Sequence, residues 1–560
     1  MPARPRKTAS ILLVLLVAVL GPALGGTRST DVEHPRLGAA WAAEEASPAN
    51  LWNDPVLVSL NQAHRETSIA LSPTDPNLLF VCDPSGVPNT GGNQSYFHRS
   101  TNGGRNWSYI DVEGPATDPR NYAFEGGDCD VMFDAGGTMY SADTWLGSLS
   151  IGHSTDGGAT WDGTSVAASA PVVDRPWIVG GPAGTLHVTY QDVQFAMPSA
   201  IWYTRSTDYG KTFLPAVPVT QAGLEGAFTW EGNFVVSPNG QDLHLVYTRR
   251  QGPAAGSLDA TGPEKVFVAA SHNGGLTWTS SLVASMPNPA SYLYPSIAMD
   301  DAGWLHVVFA SRTGEDRPIW YSFSKNGTTW TPATPLMRGA SGYSPWVDGG
   351  EAGEAAITWY GSPTPMASMG ESVDWYFYWA RVTGADTASP SVAAGTTTDT
   401  PIFTGTSGIP EFEMVRLDAD GRMHLGMSAY RKKGTSSGWS IYYQREILPL
   451  VTGSGTLSDG SSFSIDAERD GAVTGTLTFE DPAQDVSINA TSFDGLVLEK
   501  ITGGLSCTLT GQAEVTRSGT ATTEPFTATC RDLTSGDAFT IDTTSYQGGG
   551  ALSAGSLKVG

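Results

Sequence analysis

Acidic, basic and tyrosine side chains recur at the ends of short apolar runs, where strands are expected to begin and end. Carboxylates carry out general acid and base catalysis, guanidinium groups bind anions through paired hydrogen bonds, and tyrosine can act as a nucleophile. If these strand ends meet in the folded chain, the side chains form one pocket. If they do not meet, each polar side chain only keeps its own turn in contact with water. The residues before apolar runs are Glu66, Asp128, Asp130, Asp174, Arg175, Glu231, Tyr294, Tyr343, Glu411 and Glu413, and those after them are Asp192, Arg249, Arg250, Arg312, Arg431 and Lys432.

An eight-residue pattern, which reads STDGGATW at Ser154–Trp161, recurs along the chain and indicates how the strands are joined. Each copy begins with Ser, has Asp or Asn at its third position, includes Gly and ends on an aromatic residue. The Asx side chain accepts hydrogen bonds from backbone N–H groups ahead of it, and Gly supplies the positive φ of a tight turn. We therefore expect hairpins whose final aromatic packs against the sheet. The other copies are Ser100–Trp107, Ser206–Phe213, Ser271–Trp278 and the shorter Ser324–Trp330.

A second repeat lies between these turns and consists of an apolar strand, a turn with Asp or Gly, and another apolar strand. Seven such units predict seven four-stranded sheets. The segment Leu51–Gln62 is similar to the last strands of these units, so we expect it to complete the seventh sheet and close a ring without exposed edges. The units are Thr67–Cys82, Asp130–Ala142, Pro176–Tyr190, Asn233–Tyr247, Pro295–Phe309, Pro345–Trp359 and Phe412–Met427.

Both repeats resemble those of the sialidase (neuraminidase) superfamily, whose Asp-box turns join the strands of a β-propeller. The resemblance covers residues 51–450 and implies an all-β propeller. The repeat count predicts seven blades, whereas the six blades of sialidases are the alternative. Sialidases hold the carboxylate of their substrate with three arginines, attack with a tyrosine assisted by a glutamate, and use an aspartate as general acid and base.

The resemblance extends to fragments of the sialidase active site. The segment Trp230–Arg250 is similar to the one that carries the glutamate and a clamp arginine, which implies Glu231 and either Arg249 or Arg250. The segment Gly342–Trp346 is similar to the one that carries the nucleophile, which implies Tyr343. The candidate acid and base is Asp128 or Asp130, and the further candidates for substrate binding are Arg312, Arg431 and Arg175.

One departure leaves the activity open. Where sialidases carry the first clamp arginine, this chain has Thr67 or Ser68, and Arg65 is displaced. We therefore carry three hypotheses: an extracellular glycoside hydrolase of the exo-sialidase type, a non-catalytic propeller that binds a glycan or a protein, and a metal-dependent site built from acidic residues. No cofactor is expected, apart from a structural Ca²⁺ that carboxylates such as Asp128, Asp130 and Asp174 could bind.

The composition limits location and partners. A basic start followed by the apolar run Ile11–Leu20 predicts a signal peptide within residues 1–43, and no second apolar span follows. We expect a secreted, extracellular monomer without a membrane span. The net charge of −25 argues against nucleic acid as a partner. With 66 Gly and 36 Pro among 560 residues, short strands and turns are favoured over helices.

The four cysteines and the change of composition after Leu450 predict the rest of the architecture. Residues 451–560 are rich in Thr, Ser and Gly and are expected to form a small β-sandwich domain. Cys507 and Cys530 lie close in sequence and are expected to form a disulfide between two strands. Cys82 and Cys129 form either a second disulfide or two buried thiols.

Overall fold

The structure, a computed structural model, is all-β in the residues that it describes. These are 51–62, 66–84, 95–112, 127–145, 148–167, 173–192, 200–220, 227–251, 264–286, 295–311, 317–336, 341–364, 372–398, 400–405, 413–433, 436–470 and 472–560. They contain 38 strands and no helix, and hence no helix that could cross a bilayer. The predicted signal peptide at 1–43 lies outside the described residues.

Seven sheets of four or five strands follow one another along the chain. The chain begins with β1 (Leu51–Trp52) and β2 (Val56–Gln62). Blade 1 contains β3 (Ser68–Leu71), β4 (Leu79–Asp83), β5 (Tyr96–Ser100) and β6 (Ser108–Ile110). Blade 2 contains β7 (Cys129–Phe133), β8 (Met139–Trp145), β9 (Ser148–Ser154) and β10 (Asp162–Ala167). Blade 3 contains β11 (Val173–Gly180), β12 (Leu186–Asp192), β13 (Ile201–Ser206) and β14 (Val217–Pro218). Blade 4 contains β15 (Ala227–Val236), β16 (Leu243–Gln251), β17 (Glu264–Ser271) and β18 (Thr279–Met286).

The remaining blades repeat this order. Blade 5 contains β19 (Ser296–Met299), β20 (Leu305–Ala310), β21 (Ile319–Ser324) and β22 (Thr334–Pro335). Blade 6 contains β23 (Ser341–Gly349), β24 (Ala355–Ser362), β25 (Val373–Thr383) and β26 (Ser391–Thr396), with β27 (Phe403–Gly405) paired to β25. Blade 7 contains β28 (Val415–Leu417), β29 (Met423–Lys433) and β30 (Ser436–Ile447).

The seven blades form a closed ring. The first strand of each blade is innermost, neighbouring innermost strands are in contact all the way round, and β28 contacts β3. The N-terminal strands β1 and β2 pair with β30, so the two ends of the propeller meet within blade 7. The predictions of a seven-bladed propeller and of an N-terminal strand that completes the last blade are confirmed. Apolar residues such as Val246, Val268 and Val307 are buried between adjacent sheets.

Hydrogen bonds from inward-facing groups connect every pair of neighbouring blades. Most of these groups are buried, where a hydrogen bond satisfies a polar atom that would otherwise be costly, and all seven bonds help to fix the spacing of the ring. The bonds join Ser68 to Asp130, the Ile178 amide to Asp130, Gln191 to the Thr229 carbonyl, the Ile297 amide to Asn233, the Val347 amide to Ser296, the Leu417 amide to Asp348, and Arg416 to the Ile69 carbonyl.

The Asp-box turns have the geometry that their sequence predicts. In the copy at Ser154–Trp161, Asp156 Oδ1 accepts hydrogen bonds from the amides of Ala159 and Thr160, both at 2.9 Å. Gly157 and Gly158 have φ values of 70° and 82°. The turns join the third and fourth strands of their blades, so they lie on the face opposite to the one where the innermost strands begin. Their carboxylates serve the turns and lie away from the predicted pocket.

The last eight strands form a closed antiparallel barrel rather than the two separate sheets expected of a sandwich. The chain runs up and down through consecutive strands, and the last strand pairs with the first. The interior is filled by apolar side chains, among which Phe463 and Phe539 stack at 4.3 Å between ring centroids. The barrel strands are β31 (Leu450–Leu457), β32 (Ser462–Asp470), β33 (Ala472–Asp481), β34 (Val486–Ile501), β35 (Gly504–Arg517), β36 (Thr520–Leu533), β37 (Ala538–Thr543) and β38 (Gln547–Val559).

The predicted disulfide of the barrel is wrong, and the alternative one in the propeller is confirmed. Cys82 and Cys129 are bonded to each other. Cys507 and Cys530 lie directly opposite each other on β35 and β36, but both are buried free thiols. Burial raises the pKa of Cys507 to about 12, so little of the thiolate that disulfide exchange needs is present. The ladder of the barrel is already closed without a covalent link.

Candidate active site

Three innermost strands carry the same irregularity on the face opposite the Asp-boxes. There the pairing of the innermost strand with its neighbour shifts by a bulge, and bulges re-aim side chains next to functional sites. The residue that precedes each bulge is an acid or a tyrosine at the start of the strand. The shifts fall between Asp174 and Trp177, between Glu231 and Phe234, and between Tyr343 and Trp346.

Two of these bulges contain a residue in the left-handed region. Arg175 has φ 55° and Ser344 has φ 47°, and each is followed by a proline, Pro176 or Pro345. Side chains other than Gly adopt this region rarely, and such strain concentrates at functional sites. The remaining described residues of this kind lie in turns: Tyr209, Asp485 and Ser518. The bulge at Arg175 lies at the mouth of the ring, defined here as a small cavity of about 10 Å³ lined by Glu66, Asp128, Cys129, Arg175, Pro176, Trp177 and Met414.

Asp128 is the most heavily engaged carboxyl group of this mouth. Burial alone would raise its pKa, but hydrogen bonds with the side chains of Asp174 and Glu66 and the charge of Arg175 hold the pKa below the ordinary value. The Arg175 amide also donates to Asp128 Oδ2 at 3.3 Å. Asp128 therefore keeps its carboxylate form to lower pH than an ordinary aspartate.

Arg175 serves as the internal counter-ion of this cluster. Only 6% of its surface is exposed, its guanidinium lies 5.1 Å above the Trp230 ring, and its Nε is 3.7 Å from Asp174 Oδ2. A guanidinium held in this way over an aromatic face and beside a carboxylate is fixed in orientation. It therefore sets the charge of the mouth, whereas its predicted role as a substrate clamp stays a prediction.

Glu231 is a fully buried carboxyl group beside this cluster. Its amide donates to Gln191 Oε1 at 2.9 Å, whereas its two carboxyl oxygens have no partner of good geometry among the described residues, although the Thr189 hydroxyl is adjacent. Burial raises its pKa well above the ordinary value, more than the nearby Thr189 and Arg175 lower it. Glu231 therefore holds its proton to higher pH than an ordinary glutamate, whereas Asp128 stays ionised to lower pH than an ordinary aspartate.

A second pair of buried carboxyl groups lies where blades 7 and 1 meet. Burial raises the pKa of both Asp83 and Glu413 well above the ordinary value, and the charge of Asp83 adds to the shift of Glu413. Glu413 accepts a hydrogen bond from the Ser428 amide at 2.8 Å, and Tyr360 donates to the Ser428 carbonyl at 2.7 Å. The Glu66 amide donates to Asp83 Oδ1, which links this pair to the mouth.

Tyr343, the predicted nucleophile, lies at the third bulge and is nearly fully buried. Its ring packs against Trp375 with centroids 5.5 Å apart, and the Arg317 guanidinium lies 4.4 Å above it. The side chain of Arg249 lies over Phe267 at 5.5 Å. Their predicted catalytic and substrate-binding roles stay predictions.

The remaining predicted site residues differ in what they contact and in how much of them the structure describes. Asp130 accepts hydrogen bonds from Ser68, Val131 and Ile178 and so connects blades 1, 2 and 3; burial raises its pKa to about 6. Only the main chains of Arg250 and Arg431 are described, in β16 and β29. Arg312 lies outside the described residues, as do Tyr294 and Glu411. Among the residues described, no group of three or more His, Cys, Asp or Glu side chains is arranged to hold a metal ion.

A central channel of about 230 Å³ lies in the middle of the ring. Trp177 borders both the mouth and the channel. Arg416 and Asp348 line the channel with 4.0 Å between Nη1 and Oδ1, and they retain 15% and 27% of their side-chain exposure. Apolar residues from blades 3 to 6 form most of the remaining wall.

Sequence reasoning did not predict how several acidic residues at and near the mouth are connected. Glu66, Asp174 and Glu413 were expected at strand ends, but their contacts with Asp128 and Asp83 depend on neighbouring blades. The bulges had a readable signal, because proline within an apolar strand breaks the ladder and both Pro176 and Pro345 precede a Trp. Tyr360 and Gln191 lie within ordinary apolar strands, so the sequence gives no indication of their role.

Comparisons with known proteins give similarity of chain path only. The sequence matches no known protein-family profile and no curated protein. The α-L-arabinofuranosidase of Fusarium graminearum is 12% identical over 70% of this chain and 97% of its own, with a TM-score of 0.39. The α-L-arabinanase of Penicillium chrysogenum is 14% identical over 70% and 98%, with a TM-score of 0.37. A polysaccharide lyase is 11% identical over 69% and 90%, with a TM-score of 0.43. Values this low carry no argument about the chemistry of this chain.

Proposed function

We propose that this protein is a glycan-acting enzyme that cleaves glycosidic bonds at the mouth of its ring. The observation that carries the proposal is the gathering of carboxyl groups around Arg175, with the pKa of Asp128 lowered and that of Glu231 raised. Carboxyl groups whose pKa values are pushed apart supply a proton donor and an ionised carboxylate at the same pH. Cleavage of a glycosidic bond needs both.

The bulged strands suggest a role for each group. We assign Glu231 the role of general acid that protonates the leaving oxygen; because its side chain is fully buried, this role requires the groups that cover it to move when substrate binds. Asp128 is the carboxylate that stabilises the developing positive charge or activates the attacking group. Asp174, whose side chain is 34% exposed, presents the Asp128–Asp174 pair to the substrate.

The charge of the mouth favours a neutral glycan. Among the described side chains, Glu66, Asp128 and Asp174 lie around the guanidinium of Arg175, which contacts Asp174. An anionic sugar would meet an excess of carboxyl groups among the side chains that the structure describes here. A sialidase-like activity needs further arginines at the mouth, and on the charges of the described side chains we rank it below the cleavage of a neutral polysaccharide.

Binding without catalysis is less well supported. A non-catalytic glycan-binding propeller would present aromatic faces at its mouth, but Trp346 and Trp359 are almost completely buried and Arg175 lies over Trp230. The predicted signal peptide and the disulfide between Cys82 and Cys129 support action outside the cell, where disulfides persist.

A panel of polysaccharides tests the proposal. Full-length protein is incubated with arabinan, galactan, a uronate-containing polysaccharide and a fluorogenic sialoside, and reducing ends, unsaturated products and released fluorophore are measured. We expect cleavage of a neutral polysaccharide, its loss in Glu231→Gln and Asp128→Asn, and its retention in the control Glu514→Gln, an exposed barrel residue. Absence of turnover across the panel contradicts the proposal, and sialoside turnover abolished by Tyr343→Phe would favour the sialidase-like activity instead.

A further inference from the structure

The disulfide between Cys82 and Cys129 lies directly beside the carboxyl groups of the mouth. Cys129 is the first residue of β7, follows Asp128 in the chain and itself lines the mouth cavity. Cys82 is the last residue but one of β4 and is followed by Asp83. The bond therefore joins blades 1 and 2 at the point where both present an acid.

A closed series of contacts begins at one cysteine of the disulfide and ends at the other. Asp83 Oδ1 accepts a hydrogen bond from the Glu66 amide, and the Glu66 side chain is hydrogen-bonded to that of Asp128. These contacts form a closed loop through Cys82, Asp83, Glu66, Asp128 and Cys129. The loop contains the disulfide, two hydrogen bonds, and the peptide links between Cys82 and Asp83 and between Asp128 and Cys129. Breaking the covalent bond would leave only hydrogen bonds between the two blades in this loop.

Asp128 depends on such an anchor because it lies just before its strand begins. The pairing of β7 with β8 starts at Cys129, opposite Asp143. The Asp128 carbonyl accepts hydrogen bonds from the amide and hydroxyl of Thr144 at 3.0 and 3.2 Å, which hold it to its own blade. Its carboxyl group, in contrast, reaches outwards to Glu66 in front of blade 1 and to Asp174 in blade 3.

We propose that the Cys82–Cys129 disulfide is a positioning device for the active site, which holds the Asp128 carboxyl group in contact with Glu66, Asp174 and Arg175. This inference rests on the proposed function, in which Asp128 is the ionised carboxylate. It assigns the disulfide a role beyond stability, because positional errors of about 1 Å lower the rates of enzymes severely.

The chain supplies a matched control for the test. Cys507 and Cys530 form the other cysteine pair, which is buried between two strands of the barrel and unbonded. The double variants Cys82→Ala/Cys129→Ala and Cys507→Ala/Cys530→Ala each remove two buried sulfur atoms. Only the first removes the link between blades 1 and 2.

The readout is the ionisation of Asp128, followed by carbon NMR of labelled aspartate and assigned by comparison with Asp128→Asn. In Cys82→Ala/Cys129→Ala we expect the Asp128 pKa to move up towards the ordinary value, and the acidic limb of the kcat/KM profile to move with it. We expect kcat to fall about tenfold with a smaller change in KM. The barrel variant retains the pKa and pH profile of the wild type, even if its Tm falls.

An unchanged Asp128 pKa in a folded Cys82→Ala/Cys129→Ala protein overturns the inference. If that variant does not fold, the folded wild type is treated with a thiol reductant and titrated again, because reduction breaks the same covalent link between Cys82 and Cys129; an unchanged Asp128 pKa again overturns the inference. The NMR titration needs no substrate, so it decides the inference even if no glycan is cleaved and the proposed function fails.

Discussion

The indole rings of Trp177 and Trp346 lie 5.3 Å apart between centroids, although they belong to blades 3 and 6. Each follows a proline and a residue in the left-handed region, so two similar bulges meet across the axis of the ring. This contact fixes the distance between the two strand starts that carry Asp174 and Tyr343. Paired irregularities in an otherwise regular propeller thus meet where the mouth borders the central channel.

The general acid is tested by Glu231→Gln. We expect kcat/KM for the cleaved glycan to fall by about 10²–10³-fold, the usual contribution of a positioned proton donor. Because burial favours the neutral form of Glu231, an amide of the same shape preserves charge and packing, so Tm should change little. A folded Glu231→Gln enzyme with wild-type rates would contradict the assignment. Glu468→Gln, on the exposed side of the barrel, serves as control.

The pH profile of glycan cleavage tests Asp128 and Glu231 together. Activity requires ionised Asp128 and protonated Glu231, so the rate falls as the pH drops through the lowered pKa of Asp128 and as it rises through the raised pKa of Glu231. Residual activity of Glu231→Gln should lack the alkaline limb, and that of Asp128→Asn should lack the acidic limb. Profiles measured on the variants that retain both limbs would argue against these assignments.

Arg175 is tested by separating its charge from its backbone strain. Arg175→Gly suits a φ of 55° but removes the cation, whereas Arg175→Lys keeps a cation and loses the planar contact with Trp230. We expect the acidic limb to move to higher pH in Arg175→Gly, because the charge that lowers the Asp128 pKa is gone, and to move less in Arg175→Lys. Equal shifts in both variants would show that the charge does not set this pKa.

The buried carboxyl pair Asp83 and Glu413 predicts a pH dependence of stability. Both have raised pKa values in the folded state, so their protonated forms stabilise the fold fully below the ordinary carboxyl pKa. This contribution is lost as the pH rises through the folded-state pKa values. From about pH 5 to about pH 9, Tm should therefore fall less in Asp83→Asn/Glu413→Gln than in the wild type. Parallel Tm curves for the two proteins would refute the assignment.

The Asp-box carboxylates are predicted to stabilise the fold and to leave catalysis unchanged. Asp156→Ala removes the acceptor of the Ala159 amide and of the Thr160 amide and hydroxyl, so we expect a loss of about 1–2 kcal/mol in the free energy of unfolding. Urea unfolding measures the loss, and kcat/KM should equal that of the wild type because the turn lies on the opposite face. A lowered kcat/KM in the folded variant would count against this separation of faces.

The features that the sequence predicts correctly are those fixed by local chemistry. The Asx–Gly turn needs only eight residues, so five copies and their intervening strands specify the blades and their number. The N-terminal strand β2 shares its pattern with the last strands of other blades, which is why its place in blade 7 could be inferred. The start of an innermost strand is also a local property, and it locates Asp128, Glu231 and Tyr343 on one face.

The features that the sequence does not predict depend on contacts between blades. From the sequence, Arg175 is expected to bind an anionic substrate. In the structure it contacts Trp230 of blade 4 and Asp128 of blade 2, and the sequence does not show which blades lie next to it. Asp130 reads as a catalytic candidate, yet it accepts hydrogen bonds from the blades on both sides. The sequence of the barrel predicts a sandwich because its alternating polar and apolar residues indicate only sheets with one buried face. This pattern does not show whether the first and last strands pair. Likewise, sequence proximity brings Cys507 opposite Cys530 without bonding them.

The most direct test of the central claim is a crystal structure of Glu231→Gln with an oligosaccharide of the glycan that the wild type cleaves fastest. The account predicts a sugar ring in the mouth, in contact with Asp174 and with its glycosidic oxygen facing residue 231. An oligosaccharide bound on the Asp-box face, or on the barrel with the mouth left empty, would contradict it.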